Sequence, residues 1–292
     1  MLAEYVKQDL DEVPVLQKQG KQLAQVVHKA VLKGGEPTRS VVDLLHGAWL
    51  GHPLHPILTD IVIGSWILAA LCDLLSLNNN SAEAEKAADN LITIGTMAAV
   101  PTAITGLADY STIPNPAAGT ALTHALVNDI SISCYVASMQ ARKRGDRGKG
   151  IFWSMLGFGA VTLGAYLGGH LVYGKKVGVN HSETASEPEN WLPLMSEAEL
   201  PEHEPKRVEV EGKAWLLYRH NNHVYAASAV CPHAAGPLEE GQFRGRTVQC
   251  PWHDSVFDLH NGKNIHGPST YKLPIYEARI QNGQIEVRAP ME

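Results

Sequence analysis

Four long apolar runs dominate residues 50–175: roughly Leu54–Leu77, Asn90–Tyr110, Gly119–Ala141 and Gly150–Tyr173. The fourth carries no Asp, Glu, Lys or Arg over 24 residues. A helix rises about 1.5 Å per residue, so about 20 apolar residues cross the ~30 Å hydrocarbon core of a bilayer. Each run meets that length. The connections NNNSAEAEKAAD, STIPNPAA and RKRGDRGK are short and polar. A water-soluble four-helix bundle would show one polar face per helix, and the second and fourth runs have none. The pattern predicts a four-span helical membrane domain over residues 50–175, threaded up and down.

The texture changes after the spans. Residues 176–190 are polar and read as a linker. From Trp191 to the end, short alternating segments such as RVEVEG, KAWLLYRH, HVYAASAV and YEARIQNGQIEVR are separated by turns (EGK, HNN, QNGQ), which predicts an all-β module over 191–292. Ahead of the spans, residues 1–49 are mixed in charge and helix-compatible. They carry no basic-then-apolar leader at MLAEYVKQDLDEV. The fold class is therefore multi-domain, α-helical in the membrane and then all-β.

Composition sharpens the functional choice. Charged residues are only 18% of the 292, against roughly 25% in soluble proteins. A net charge of −6 argues against a nucleic-acid partner, which calls for a basic stripe. Four cysteines stand at 72, 134, 231 and 250, two in apolar runs and two in the β module. That distribution excludes a disulfide scaffold.

The chemistry of the β module lies in Cys231-Pro-His233, then sixteen residues, then Cys250-Pro-Trp-His253. Two thiols and two imidazoles suit zinc or an iron–sulfur centre. A zinc finger pairs Cys with Cys and His with His along the chain. Here each loop offers one of each, the split needed when two Cys hold one iron of a [2Fe–2S] cluster and two His the other.

With CPHAAGPLEEG and CPWHDSVFDLHNG as the two loops, and HGPST at 266–270 as a third, the module resembles a Rieske ferredoxin-type domain. The resemblance implies that Cys231 and Cys250 hold an inner iron, and His233 and His253 an outer, solvent-facing one. It also shows departures from the high-potential respiratory branch. Gly236 and Trp252 stand where that branch has a disulfide, and Phe257 stands where it has a Tyr, although Ser255 is kept. Hydrogen bonds to cluster sulfurs raise potential, so one fewer implies a milder, lower-potential centre.

Ionisable residues in membrane spans are functional candidates by default. Up-and-down threading places His52, His55, Asp109, His124 and His170 at one membrane face, the face where the chain leaves toward the β module. Imidazole ligates haem iron, and bundle cores house cofactors on facing helices, which makes these four histidines candidates for a haem b or other metal site. His124 and His170 are the favoured axial pair, with His55 as the alternative. A non-haem iron or copper site using Asp60 or Asp109 is the next option. The pieces GHPLHPILTDIVIGSW, LTHALVND and YLGGHLVYGKKVGVNH resemble a bacterial family of four-span membrane domains often followed by a Rieske module. That resemblance brings no established activity.

These observations lead to a multi-pass bacterial membrane protein. It is read as a Rieske iron–sulfur protein carrying single electrons and exchanging with a haem or quinone at the membrane domain. Its partners are membrane lipid and a redox protein or quinone. The alternatives are an oxygenase component with a metal site in the membrane domain, and a redox-silent scaffold or sensor. Five basic residues between Arg142 and Lys149 place that loop in the cytoplasm and the β module outside, by the positive-inside rule.

Overall fold

A computed structural model describes residues 10–182 and 188–290. Contacts divide the chain into two units: the chain up to Gly35 with Leu54–Val177, and Glu36–Pro53 with Gly178–Glu292. The chain thus passes from one unit to the other three times. The expected N-terminal segment 1–49 contributes to both. Its first nine residues, and 183–187 of the expected linker, lie outside the described residues.

The helical unit contains α1 (Pro14–Lys33), α3 (Leu54–Asn79), α4 (Ala82–Tyr110), α5 (Ala118–Lys143) and α6 (Arg147–Gly169). A π-helical turn, His170–Gly174, extends α6. Caps fix two of the starts. The Ser81 side chain accepts from the Ala84 N–H, and Asp146 accepts from the Lys149 N–H. Pro101 sits inside α4 without ending it. Thr102 and Thr105 donate to carbonyls of the same helix, at Ala98 and Pro101.

Three helical stretches among the described residues are long and apolar enough to cross a membrane: Leu54–Asn79, Ala82–Tyr110 and Arg147–Gly174. The third expected span forms as α5, at 26 residues, but falls short of that apolarity. Its polar residues explain why. Ser131 and Ser138 are buried and donate to the carbonyls of Gly157 and Gly150 on α6. Outward on the other helices stand exposed Leu68, Leu75, Met97, Ile104, Phe152 and Leu163, a surface suited to hydrocarbon.

Inside, the Trp66 and Tyr135 rings stack with centroids 3.8 Å apart. Glycines admit them: a Cβ on Gly95 would lie 2.5 Å from the Trp66 ring, and one on Gly157 would lie 3.0 Å from Tyr135. At one end of the unit, Arg142 and Arg147 converge on Asp73. Arg142 Nη2 lies 2.5 Å from Asp73 Oδ2, and Arg147 Nη2 lies 2.9 Å from Asp73 Oδ1. Asp89 contacts both arginines, but its side chain is 43% exposed, whereas Asp73 is 1% exposed. Arg142 and Arg147 are therefore neutralised within the chain, and a third of the five basic residues, Lys149, pairs with Asp146 at the surface.

The second unit is mostly β. One sheet has the order β1-β10-β9-β4-β3-β2 and the other β5-β6-β7-β8, with all strand pairs antiparallel. Strands β2 (Lys206–Val210), β3 (Lys213–His220), β4 (His223–Ser228), β9 (Ile275–Gln281) and β10 (Gln284–Arg288) are joined by two-residue turns wherever they are consecutive. Glu211-Gly212, Asn221-Asn222 and Asn282-Gly283 all adopt positive φ, matching the right-handed twist of their hairpins. The smaller sheet holds β5 (Gln242–Arg244), β6 (Thr247–Gln249), β7 (Val256–Asp258) and β8 (Asn264–His266), and β1 (Leu192–Ser196) edges the larger. One helix, α2 (Gly35–His46), packs in this unit.

Removing a partner from a buried ion pair leaves the other charge uncompensated, at about 3–5 kcal/mol. Asp73→Ala should therefore lower the unfolding midpoint in detergent by far more than Asp89→Ala, whose carboxylate is solvated. Equal effects of the two substitutions would contradict the burial argument.

Candidate metal centre

The two sequence loops meet at one tip of the β unit. The first, Cys231–His233, follows β4, and the second, Cys250–His253, leaves β6. Each is tied into a tight turn by its cysteine. The Cys231 N–H donates to the Gly236 carbonyl, and its own carbonyl accepts from Ala235. Cys250 N–H donates to the Ser255 carbonyl at 2.8 Å, and its carbonyl accepts from Asp254. Ala235 and Asp254 sit in the left-handed region, at φ 61° and 64°, which turns both loops back on themselves.

Both thiols are buried in one core with Phe257, Leu238, Val248 and Leu273. The thiols share a hydrogen bond that pushes Cys231 up and brings Cys250 down to about 7, helped by the N–H groups of Trp252 and His253. The imidazoles of His233 and His253 lie edge to face, with centroids 5.0 Å apart. Burial holds His233 well below the usual imidazole range, and nearby His253, His46 and His181 add to that effect. A neutral imidazole is the form that binds a metal.

Two observations test the donor set against a cluster. Nδ1 of His233 is buried with no hydrogen-bond partner, a costly arrangement unless a metal takes that nitrogen. Four ligands of one tetrahedral zinc, at about 2.0–2.3 Å from the ion, would crowd together. Among the described residues the one group of three or more such donors lying within 4.8 Å of one another is Glu202, His203 and His220, on the exposed surface. The paired cysteines and paired histidines are thus spread as two irons require, and the residues present fit a [2Fe–2S] group.

The surroundings match the differences read from sequence. A Cβ on Gly236 would lie 2.8 Å from Cys250 Sγ and 3.3 Å from the Trp252 ring. These two positions face each other across the loops, as the partners of a bridging disulfide would. Ser255 is fully buried, and its Oγ accepts from the Ser269 N–H of the third loop at 3.0 Å, leaving its hydroxyl hydrogen to donate. Phe257 is fully buried and supplies no donor.

Histidines 233 and 253 were expected to face solvent, yet both are half-buried. Residues that the sequence did not single out bond to the loops beside them. Asp43 on α2 accepts from the Gly267 N–H at 2.7 Å and lies 2.8 Å from His266 Nδ1. Arg39 Nη2 donates to the Asp254 carbonyl, and the His181 N–H donates to the Pro232 carbonyl. A signal was present: Glu36, Arg39, Asp43 and His46 recur at intervals of three, four and three, one face of a helix.

In the helical unit, the structure pairs His55 with His124, whose ring centroids are 6.4 Å apart at 81°. Nδ1 of His55 donates to the Thr102 carbonyl, and Nδ1 of His124 to the Gly164 carbonyl, each at 2.9 Å. Glycines back both rings: a Cβ on Gly106 would lie 2.9 Å from His55, and one on Gly168 would lie 3.1 Å from His124. Asn128 Nδ2 donates to the His124 carbonyl at 2.8 Å and stands 3.3 Å from both its ring nitrogens. His170 opens the π-helical turn with a buried Nε2 that has no hydrogen-bond partner. His52 is exposed, with Nδ1 2.9 Å from the Pro53 carbonyl. Asp60 is exposed on α3, and the carboxylate role considered for it finds no support in that position.

Comparison with known proteins agrees with both halves. Residues 190–277 match the Rieske [2Fe-2S] domain, and residues 51–181 match a family described as predicted membrane protein (DUF2231). The ferredoxin component of the naphthalene 1,2-dioxygenase system of Pseudomonas aeruginosa is 30% identical over 99 residues, which are 34% of this chain and 95% of that protein. The anthranilate 1,2-dioxygenase ferredoxin subunit of Burkholderia cepacia is 31% identical over 97 residues, 33% of this chain and 90% of its own. Among solved structures, the Sphingomonas yanoikuyae B1 ferredoxin aligns at 26% identity and a TM-score of 0.33, covering 35% of this chain and all of that one. Through residues 190–277 the chain belongs to the Rieske [2Fe–2S] family, here fused to a membrane protein domain of the DUF2231 family.

Proposed function

We propose that the protein is a membrane-anchored electron carrier, with Cys231 and Cys250 on the inner iron and His233 and His253 on the outer. The observation that carries this reading is the convergence of two buried thiols and two edge-to-face imidazoles on one loop tip. The cluster, when bound, accepts and releases one electron at a time. The chain's own part is to bury the thiols, keep His233 neutral and aim a hydroxyl from Ser255 toward the sulfurs. The ferredoxin relatives belong to dioxygenase systems by name, which supports an oxygenase or reductase as the redox partner. The β unit is filled by its two hydrophobic cores, so a mononuclear iron site of an oxygenase would have to come from elsewhere.

The domain limits 50–175 and 191–292, with 176–190 between, serve as working boundaries in this reading. Helix α5 is taken as a fourth span because it matches its neighbours in length and turns its hydroxyls inward. The basic loop region 142–149 favours an extracytoplasmic β unit.

Replacing His233 or His253 with Ala should abolish the Rieske electron paramagnetic resonance signal, whereas replacing His220, His223 or His260 should leave it. A retained signal in both ligand variants would remove the assignment. The midpoint potential should fall in the lower half of the roughly −150 to +300 mV Rieske range. Ser255→Ala should lower it and Phe257→Tyr raise it, because each changes the number of hydrogen bonds that stabilise the reduced state. A protein-film voltammogram decides, and a wild-type value near the upper end would contradict the reading.

A second reading concerns the membrane domain and rests on the His55–His124 pair. Two imidazoles on one metal ion have ring centres roughly 6 Å apart, from metal–nitrogen bonds of ~2 Å and a ring radius of ~1.1 Å. The pair measures 6.4 Å, and carbonyls already hold both Nδ1 atoms, which directs Nε2 to a ligand. We infer a haem b or similar metal held by His55 and His124, with His170 and His52 outside the pair and a quinone as the alternative occupant. His55→Ala and His124→Ala should each remove haem from membrane-inserted protein, and His52→Ala should not. Unchanged haem content in both, or none in the wild type with ample haem supply, would reduce the domain to an anchor.

A further inference from the structure

Helix α2 is amphipathic, and its orientation is the reverse of an ordinary surface helix. Val41 and Leu44 are exposed, while the polar row Glu36, Arg39, Asp43 and His46 faces the β unit. Contacts of Glu36, Arg39 and Asp43 fall on loops beside the expected cluster ligands. Arg39 Nη2 donates to the carbonyl of Asp254, the residue after His253, at 2.5 Å. Asp43 Oδ1 accepts from the Gly267 N–H at 2.7 Å, and Oδ2 lies 2.8 Å from His266 Nδ1. A carboxylate only accepts, so this imidazole nitrogen carries the proton. Glu36 Oε2 stands 3.6 Å from His266 Nε2. His46 is 3% exposed, and a Cβ on Gly267 would lie 3.5 Å from its ring.

The Glu36 pair is solvated, but the Asp43 bonds are not of that loose kind. Asp43 satisfies a backbone N–H and an imidazole with its two oxygens, and a charged acceptor makes each bond short and strong. The third loop, in turn, reaches the second through the Ser269 N–H to Ser255 Oγ. Asp43 is thus linked through Gly267, Pro268 and Ser269 to the buried Ser255 hydroxyl. On the first loop, the His181 N–H holds the Pro232 carbonyl, and Ser182 beside it is buried.

We propose that α2 is a built-in cover on the cluster tip, with Asp43 as the positioning residue that latches it to the Gly267 loop. The cover occupies ground from which a protein partner would approach His233, so exchange with a soluble protein requires α2 to lift. The inference rests on the cluster assignment above and extends it.

The full-length protein carries the test, with Asp43→Ala, Arg39→Gln and the exposed Val41→Ser as a control. Reoxidation of the reduced cluster is followed by stopped flow with two oxidants, cytochrome c as a protein and ferricyanide as a small anion. Amide hydrogen exchange is measured over residues 262–272. Asp43→Ala should speed reoxidation by cytochrome c at least tenfold, change the ferricyanide rate less than twofold, and accelerate exchange at Gly267. Arg39→Gln should act in the same direction and less, and Val41→Ser should do neither.

Unchanged rates and exchange in Asp43→Ala would overturn the latch, as would equal acceleration by both oxidants. If Asp43→Ala fails to fold, Arg39→Gln alone decides by the same ratio of rates. Loss of the Rieske resonance from the wild type would instead refute the cluster assignment, so the two failures are separable.

Discussion

A polar group removed from water must find its partner within the chain, and this constraint shapes both units. In the helical unit the surrounding hydrocarbon offers no hydrogen bonds, so several buried hydroxyls, imidazoles and charges are tied to neighbouring helices. Ser131 and Ser138 hold α5 to α6, the His55 and His124 rings hold α3 to α4 and α5 to α6, and Asp73 holds α3 to the arginines that flank the α5–α6 turn. Glycine is the complementary device. A side chain at Gly95, Gly106, Gly157 or Gly168 would occupy the volume of Trp66, His55, Tyr135 or His124. Polar bonds set which helices pair, and glycines set how closely.

The same constraint builds the metal centre. Two thiols pack in the apolar core as small hydrophobes, whereas a buried, partnerless Nδ1 on His233 is unfavourable in the chain alone. In the proposed reading a metal would take that nitrogen, which would make the folded loops a site preorganised for the group. What the loops cannot supply for themselves comes from outside them. Ser269 fixes Ser255, and Asp43 fixes the loop that carries Ser269.

How much of this could be read along the chain follows from sequence separation. The four expected ligands lie in two short loops, where residue type and spacing suffice, and the Asn-Gly and Glu-Gly turns announced their hairpins by the need for positive φ. The α5 helix was legible as a helix. Its apolarity was overestimated because its hydroxyls, spread through an apolar run, are satisfied by carbonyls that no local pattern reveals. His124 was singled out from sequence, and its ring contact with His55 joins residues 69 apart, which no local pattern announces. The α2 contacts join residues 215 and more apart in sequence. Only the polar row at helical spacing hinted at them, and a polar row on a helix is ordinarily a solvated one.

That separation bears on how the electron carrier works. A β module joined only through residues 176–190 would behave as a head on a single tether, free to present its histidines to any partner in reach. Here the module also takes up residues 36–53, which precede the first span, while 178–182 are engaged with its first loop. Segments that precede and follow the four long helices in sequence thus belong to one module. Selectivity among partners then depends less on tether length than on the polar contacts of α2. A dozen residues ahead of the first span thus govern access to a centre that begins some two hundred residues later.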